Sequence, residues 1–138
     1  MATIKSYTDI EQSKKLAKIL SLESADMLWG YYYNGKNHCI PNIRPFRDIH
    51  DNIPKGYTPA WSLAALLGVL PPYLYEWEKG IDFSLYPSVA KKRWWCAGYI
   101  SQDLSPENKD KFTLITHADN PVDACYEMIL KLNELKML

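Results

Sequence analysis

The segment from residue 120 to residue 135 most constrains what this chain can fold into. Apolar residues recur there at helical spacing and form one stripe: Val122, Cys125, Ile129 and Leu132. Asp119 or Asn120 can cap this helix in front of Pro121, which suits the first helical position because it lacks an N–H. An amphipathic helix has to bury its stripe, so the rest of the chain must offer it a sheet or further helices.

Two more helices are predicted upstream. The first follows a capping box formed by Thr8 and Glu11, and it ends near residues 20–22. The second opens with Thr58 as N-cap and Pro59 at the first helical position, and the double proline that follows its leucines ends it. Leucines at helical spacing with alanines between them make this second segment apolar almost all round. We therefore expect it to be buried on most sides.

Extended segments fill the chain between these helices. The aromatic run 27–33, the dipeptide Asn34-Gly35 and the segment 36–43 predict a β-hairpin, because Asn-Gly favours tight hairpin turns. Three more extended segments lie at 82–86, 93–101 and 112–117. The predicted fold class is α+β: an antiparallel or mixed sheet of about four to five strands with three helices, in the order α-ββ-α-βββ-α. A length of 138 residues predicts a single domain, 1–138.

Charge and composition narrow the class of protein. The sequence holds 16 basic and 16 acidic side chains, so no net field draws it to nucleic acid or to anionic lipid. The first residues lack the apolar core of a secretory signal, and the longest apolar run, 63–70, is far shorter than a membrane span. Three cysteines without CxxC spacing are typical of a reducing compartment. We therefore expect a cytoplasmic protein that has no membrane partner.

Residues able to carry catalysis or to bind metal are scattered along the chain. Neither a glycine-rich phosphate loop nor a GxSxG motif is present, and the sequence points to no cofactor, no metal and no catalytic residue. Cys96 and Cys125 fall within predicted core elements, where free cysteine usually behaves as a small hydrophobe. The one enzymatic hypothesis is a small enzyme of unknown class with a site around Cys39, His117 and Asp119. Its weakness is that Asp119 is equally well explained as a helix cap.

Aromatic and basic residues cluster at two places, and these are the candidate binding residues: Tyr31, Tyr32, Tyr33, Lys91, Lys92, Arg93, Trp94 and Trp95. Because side chains alternate along a strand, neighbouring rings cannot all face one core. Either a second layer covers the remaining rings, or they anchor a protein interface, or they stack on single-stranded nucleic acid. The leading hypothesis is a non-enzymatic protein-binding or adaptor module. Single-stranded nucleic-acid binding is the alternative, which the zero net charge weakens, and a homodimer through an uncovered aromatic strand also stays open.

Three stretches carry a resemblance: Glu23-Ser24-Ala25-Asp26-Met27, then Pro59-Ala60-Trp61-Ser62-Leu63-Ala64-Ala65-Leu66-Leu67 with Leu70-Pro71, then Asn120-Pro121-Val122-Asp123-Ala124-Cys125 with Glu127-Met128-Ile129. They resemble an uncharacterised family of small hypothetical proteins from gut Bacteroides genomes, their prophages and integrative elements. The resemblance implies a phage- or mobile-element-linked accessory protein in a bacterial cytoplasm, whose partner is a host or element-encoded protein. It carries over no activity, cofactor or site residue. The shared stretches coincide with predicted caps and core helices, which suggests a common scaffold with variable segments at 31–57 and 73–118.

Overall fold

A computed structural model describes residues 5–31, 36–40, 56–74, 82–90, 92, 94–100 and 114–138. These residues divide into two compact units, 5–69 and 70–138. The elements in chain order are α1 (Ile10–Leu16), a short 3₁₀ helix (Leu22–Ser24), β1 (Met27–Tyr31), β2 (Asn37–Ile40), β3 (Thr58–Ala60), α2 (Leu63–Val69), β4 (Phe83–Pro87), β5 (Trp95–Tyr99), β6 (Leu114–Ala118) and α3 (Pro121–Glu134). That the chain forms one domain over 1–138 stays a prediction.

The α+β class, the three helices and the antiparallel pairing of strands are confirmed. Within the described residues, six strands form two three-stranded sheets, in the orders β2-β1-β3 and β4-β5-β6. The sixth strand is β3, which occupies residues for which the sequence predicts a helix start. None of the described helices has the length and apolar character needed to cross a membrane.

The central strand of the first sheet is β1. It pairs on one side with β2, as the predicted hairpin requires, and on the other side with β3. The predicted turn at Asn34-Gly35 lies outside the described residues. Leu28 is fully buried on β1, whereas Gly30 leaves room for the ring of Tyr57, with which a β-carbon at position 30 would clash.

The N-terminal helix begins one residue later than the sequence predicts. Asp9 is the N-cap: its carboxylate accepts the backbone N–H of Gln12 at 2.8 Å, and the Gln12 side chain accepts the N–H of Asp9 at 3.1 Å. The predicted capping box of Thr8 and Glu11 is therefore wrong. The physical reason is a long-range contact: the fully buried Thr8 hydroxyl accepts the backbone N–H of Trp61 at 3.1 Å and lies 2.8 Å from the Ser13 hydroxyl, so Asp9 and not Thr8 caps the helix.

Thr8 joins three parts of the first unit through hydrogen bonds. Its backbone N–H donates to the Trp61 carbonyl at 2.9 Å, and its own carbonyl accepts the Trp29 indole N–H at 2.9 Å. Its hydroxyl lies 2.8 Å from the hydroxyl of Ser13, which is also fully buried. Buried polar groups without partners are costly, and here each hydroxyl satisfies the other.

The second helix begins at Leu63, so the prediction of a helix start at Thr58 and Pro59 is wrong. Residues 58–60 instead pair with β1, and a proline is tolerated there because β3 is at the edge of its described sheet. The helix is capped at Ser62, whose hydroxyl accepts the backbone N–H of Ala65 at 3.2 Å. The Asp26 carboxylate in turn accepts both the N–H of Ser62, at 2.8 Å, and its hydroxyl.

Two of the three stretches that carry the sequence resemblance, residues 23–27 and 59–67, meet here. Asp26 binds Ser62, and the indole N–H of Trp61 donates to the Ser24 hydroxyl at 2.9 Å. Trp61 is fully buried. These residues therefore help to hold the first unit together, and the resemblance itself stays a prediction.

The α2 helix is not buried on most sides, contrary to the prediction from its apolar sequence. Leu66 is its buried residue, whereas Ala64, Leu67 and Gly68 are exposed. An apolar sequence does not by itself fix how many sides of a helix are covered, since that depends on the elements that pack against it, and among these is the short 3₁₀ helix.

The second unit is a sheet with α3 packed on it. The predicted strands are confirmed with bounds shifted by a few residues, and the predicted start of α3 is confirmed: Asn120 is the N-cap and accepts the N–H of Asp123 at 2.8 Å. The Tyr99 hydroxyl donates to the Pro71 carbonyl at 2.6 Å, and the Tyr99 and Phe83 rings lie 5.3 Å apart. This joins the first residues of the unit to the middle strand.

Candidate functional site

The β4–β5–β6 sheet has two chemically different faces. Directly paired residues share a face, so Leu85, Ala97 and Thr116 lie on one side and their neighbours along each strand lie on the other. The Thr116 hydroxyl donates to the Ala124 carbonyl of α3 at 2.7 Å, which identifies the first side as the one that α3 covers.

The opposite side is named here the Tyr86 face, after its central phenol. It consists of Ser84, Tyr86, Trp94, Cys96, Gly98, Ile115 and His117. Trp94 belongs to it because the Ser88 N–H donates to the Trp94 carbonyl at 2.7 Å and extends the β4–β5 pairing by one step. By alternation, Trp94 then shares its side with Cys96, while Trp95 shares its side with Ala97.

Three side chains with polar chemistry form a row across this face. Cys96 pairs directly with Tyr86 on one neighbouring strand and with His117 on the other. Burial raises the pKa of the Tyr86 phenol, and the adjacent Cys96 thiol, which hydrogen-bonds it, adds to that rise. His117 is exposed and Tyr86 is half-buried, so both can contact another molecule, whereas Cys96 is only 4% exposed.

Among the described residues, this row lacks the accessible thiol and the group of ligands that a thiol-based or metal-based centre would need. A nucleophilic cysteine has to be accessible, and the Cys96 side chain lies under its neighbours. No group of three or more His, Cys, Asp or Glu side chains converges among the described residues. Cys125 is fully buried, burial raises its thiol pKa to about 12, and the prediction that it acts as a core hydrophobe is confirmed.

The residues of the enzymatic hypothesis fall in both units, and that hypothesis stays a prediction. Asp119 accepts a hydrogen bond from the Asn120 side chain at 2.8 Å, next to the start of α3. His117 points to the Tyr86 face by its pairing with Cys96. Cys39 belongs to β2 in the other unit, and its side chain lies outside the described residues.

Apolar side chains border the polar row. A β-carbon on Gly98 would lie 3.4 Å from Ile115 Cγ1 and 3.5 Å from Ile100 Cγ1, so the two isoleucines close over the glycine. Ile115 is half-buried and Ile100 is 36% exposed. The Tyr86 face is thus a mixed surface, with aromatic and polar groups towards the β4–β5 hairpin tip and aliphatic groups at its other end.

The β4–β5 hairpin tip carries most of the second predicted binding cluster. Val89 is fully exposed, and Ala90 and Lys92 are exposed as well. Trp94 and Trp95 are half-buried on opposite sides of the strand, with Trp95 on the side that α3 covers. Lys91 and Arg93 lie outside the described residues, and their predicted role in binding stays a prediction.

The tyrosine cluster belongs to the other unit. Tyr31 is the last residue of β1 and pairs with Asn37. Its side chain, and Tyr32 and Tyr33 as a whole, lie outside the described residues. The predicted role of these three tyrosines stays a prediction.

Sequence reasoning missed Tyr86 and the alignment of Cys96 with His117. Alternation alone assigns each residue to one face of its own strand, but it does not say which residues of two strands lie opposite each other. The sequence signal that could have indicated this face is the alternation of apolar and polar residues in the segments before and after residues 94–100.

Comparisons with known proteins identify no relative of this chain. No protein-family model, no curated protein and no solved structure matches the chain. The observations that bear on function are therefore those of the Tyr86 face and of the hairpin beside it.

Proposed function

We propose that the protein is a non-enzymatic binding module that captures a partner protein through the Tyr86 face and the β4–β5 hairpin. The observation that carries the proposal is the placement of Tyr86 and Trp94, both half-buried, on the side of the sheet opposite α3. Tryptophan, tyrosine and arginine supply most of the binding energy at protein interfaces. A half-buried ring is already held in place, so it loses little conformational freedom on binding.

The exposed hairpin tip supports the same proposal. Val89 is fully exposed and Lys92, three residues further along the chain, is exposed as well, so this segment offers both an apolar group and a cation. A mixture of aromatic, aliphatic and polar side chains is typical of a non-obligate interface. Tyr86 and His117 would supply hydrogen bonds, and Trp94 and Val89 would supply apolar contact.

The charge of the hairpin favours an acidic partner. Residues 83–100 contain three cations, Lys91, Lys92 and Arg93, and no acidic side chain, although the whole chain is neutral. Complementary charge steers association and selects partners. The proposed ligand is therefore an acidic segment of a host or element-encoded protein, and the sequence resemblance supports an accessory role in a bacterial cytoplasm.

A second candidate is binding to single-stranded nucleic acid. It is favoured by the position of the exposed Lys92 two residues from the half-buried Trp94, because rings that stack on bases usually lie beside cations that neutralise phosphates. The zero net charge of the chain reduces the long-range attraction that such proteins normally have.

The test compares two labelled probes, a short Glu-rich peptide and a short oligothymidylate, by fluorescence anisotropy. Wild type is expected to bind the peptide, and Trp94→Ala is expected to bind it about thirty-fold more weakly, as for a hot-spot residue. Glu127→Ala, an exposed position on α3, is the matched control and should bind like wild type.

The outcomes separate the two candidates. Equal peptide affinity of wild type and Trp94→Ala, or no peptide binding at low salt, would contradict the acidic-partner proposal. Preferential binding of oligothymidylate, steeply weakened by salt and lost in Trp94→Ala, would favour the nucleic-acid candidate instead.

A further inference from the structure

The backbone groups at the two edges of the β4–β5–β6 sheet can be assigned from one hydrogen bond. The Ser88 N–H donates to the Trp94 carbonyl, and these two residues continue the register of β4 with β5 by one step. In an antiparallel pair, partners that hydrogen-bond each other alternate with partners that do not. Every second residue of an edge strand therefore points its N–H and C=O groups away from the sheet.

The β4 edge is protected at two of its three outward positions. Counting back from Ser88, the outward-pointing residues are Phe83, Leu85 and Pro87. The Phe83 N–H donates to the Pro72 carbonyl at 3.0 Å, and Pro87 has no N–H. A covering segment and an edge proline are devices by which proteins prevent a sheet from adding a further strand.

The β6 edge has neither device within the described residues. By the same count, the residues of β5 that hydrogen-bond β6 are Trp95, Ala97 and Tyr99, and the outward-pointing residues of β6 are then Ile115 and His117. In the part of the chain that the structure describes, β6 is the last strand of its sheet, and its five residues include no proline. The backbone groups of Ile115 and His117 therefore point to where an added strand would lie.

We propose that the acidic partner segment adds an antiparallel strand to the β6 edge, an inference that rests on the proposed function. Ile115 and His117 carry their side chains on the Tyr86 face, so the partner residues directly opposite them share that face. A carboxylate opposite the exposed His117 accepts a hydrogen bond from its imidazole, and an aliphatic side chain opposite Ile115 makes apolar contact. The recognised pattern is acidic-x-aliphatic, in which x points to the side that α3 covers.

The distribution of charge favours an acidic segment over a second copy of this chain. Residues 83–100 hold three cations and no acidic side chain, so the sheet beside β6 attracts carboxylates. In a two-fold pairing of β6 with another β6, His117 would lie opposite Ile115 or another His117. Neither arrangement places a carboxylate opposite the imidazole.

Backbone methylation of a synthetic peptide tests the proposal, because it removes an N–H donor and leaves every side chain in place. The labelled peptide Thr-Glu-Thr-Val-Thr is titrated with wild type and followed by fluorescence anisotropy. In the added strand, the N–H groups of Glu and Val point to β6. N-methylation of these two residues should weaken binding about thirty-fold, as for two lost hydrogen bonds. N-methylation of the third and fifth residues, whose N–H groups point away from β6, is the matched control and should have little effect.

A proline substitution removes the corresponding donor from the protein. His117→Pro deletes an outward N–H and no hydrogen bond to β5, just as Pro87 leaves β4 paired with β5 on the opposite edge. His117→Gln keeps the N–H and is the matched control. The proline variant should bind the peptide about tenfold more weakly than the glutamine variant, with an unchanged far-UV circular dichroism spectrum. Equal affinities of the two variants would contradict the proposal.

The outcomes distinguish this inference from the proposed function. If the unmodified peptide binds and Trp94→Ala weakens it, but both methylated peptides bind alike, strand addition is wrong and the proposed function stands. If neither this peptide nor the Glu-rich peptide binds wild type, both are wrong. A wild-type dimer that His117→Pro dissociates would place a second copy at the β6 edge and would also overturn the proposal.

Discussion

Each of the two compact units is stabilised internally by a different kind of contact. In residues 5–69, side-chain hydrogen bonds join segments that are far apart in sequence, through Thr8 with Trp61 and Asp26 with Ser62. In residues 70–138, the apolar stripe of α3 packs on one side of a sheet, and its buried residues include Cys125 and Ile129. Directional hydrogen bonds fix a single arrangement of loops, whereas apolar packing joins α3 to one side of its sheet, and the proposed function places partner binding on the other side.

The largest expected effect concerns the apolar unit. Ile129→Ala removes a fully buried side chain from α3 and should lower the free energy of unfolding by about 3 kcal/mol. Urea denaturation measures this, with Leu135→Ala, at an exposed position, as the control that should change stability by less than about 0.5 kcal/mol. Equal losses in both variants would mean that the α3 stripe does not hold the second unit.

The hydrogen bonds between Asp26 and Ser62 should contribute less to the free energy of unfolding than the apolar stripe of α3. The effects of substituting these two residues should nevertheless be strongly coupled. Asp26→Ala leaves the Ser62 N–H and hydroxyl without their acceptor and should cost about 2 kcal/mol. Because Ser62→Ala disrupts the same contact, the double variant should lose less than the sum of the two single losses. Strict additivity in urea denaturation would show that the two side chains do not act together.

The buried thiol predicts a loss of stability in alkali. The Cys125 pKa is raised to about 12 in the folded protein from 9.0, so the unfolded chain loses this proton first as pH rises above 9. Stability should be unaffected by Cys125 below pH 9 and should fall by up to about 1.4 kcal/mol per pH unit above it. Burial also raises the pKa of the Tyr99 phenol. Its ionisation in the unfolded chain therefore adds to the loss of stability at higher pH.

Cys125→Ala separates the two contributions. The variant should show a shallower decline in unfolding free energy between pH 9 and pH 10, where the tyrosine contributes little. An identical decline in wild type and variant would show that the Cys125 thiol is not kept neutral by its burial.

The smallest expected effect is a gain in stability from a substitution at the C-terminal end of α3. The helix ends in a Schellman motif, in which the Met137 N–H donates to the Leu132 carbonyl at 2.8 Å and Lys136 adopts a φ of 56°. Because glycine adopts this conformation without strain, Lys136→Gly should stabilise the protein by about 0.5–1 kcal/mol. Lys136→Ala should give no such gain in thermal denaturation, and a gain of the same size would point to the lost charge as its cause.

Local signals predicted the second unit better than the first. The Asn120 cap, the α3 stripe and the strands around residues 83–87 and 95–99 all follow from short-range patterns. The start of α2 was missed because the pairing of Pro59 with Leu28 depends on a strand about thirty residues away, and the Thr8 hydroxyl is used by Trp61 for the same kind of reason.

The candidate site was predictable in part. Alternation alone places Trp94 and Trp95 on opposite sides of their strand, as the register of β4 with β5 also has it. The alignment of Tyr86, Cys96 and His117 could not be predicted, because it depends on the register of three strands. Shifting one strand by one residue would move its member of the row to the face that α3 covers.

The central claim is that the sheet in the second unit uses the side opposite α3 for recognition. The most direct measurement is NMR of ¹⁵N-labelled protein titrated with the Glu-rich peptide. The account predicts that the backbone signals of Ser84, Tyr86 and His117 shift while those of Glu127 and Lys131 on α3 stay in place. Shifts confined to α3, or spread evenly over both sides of the sheet, would contradict it.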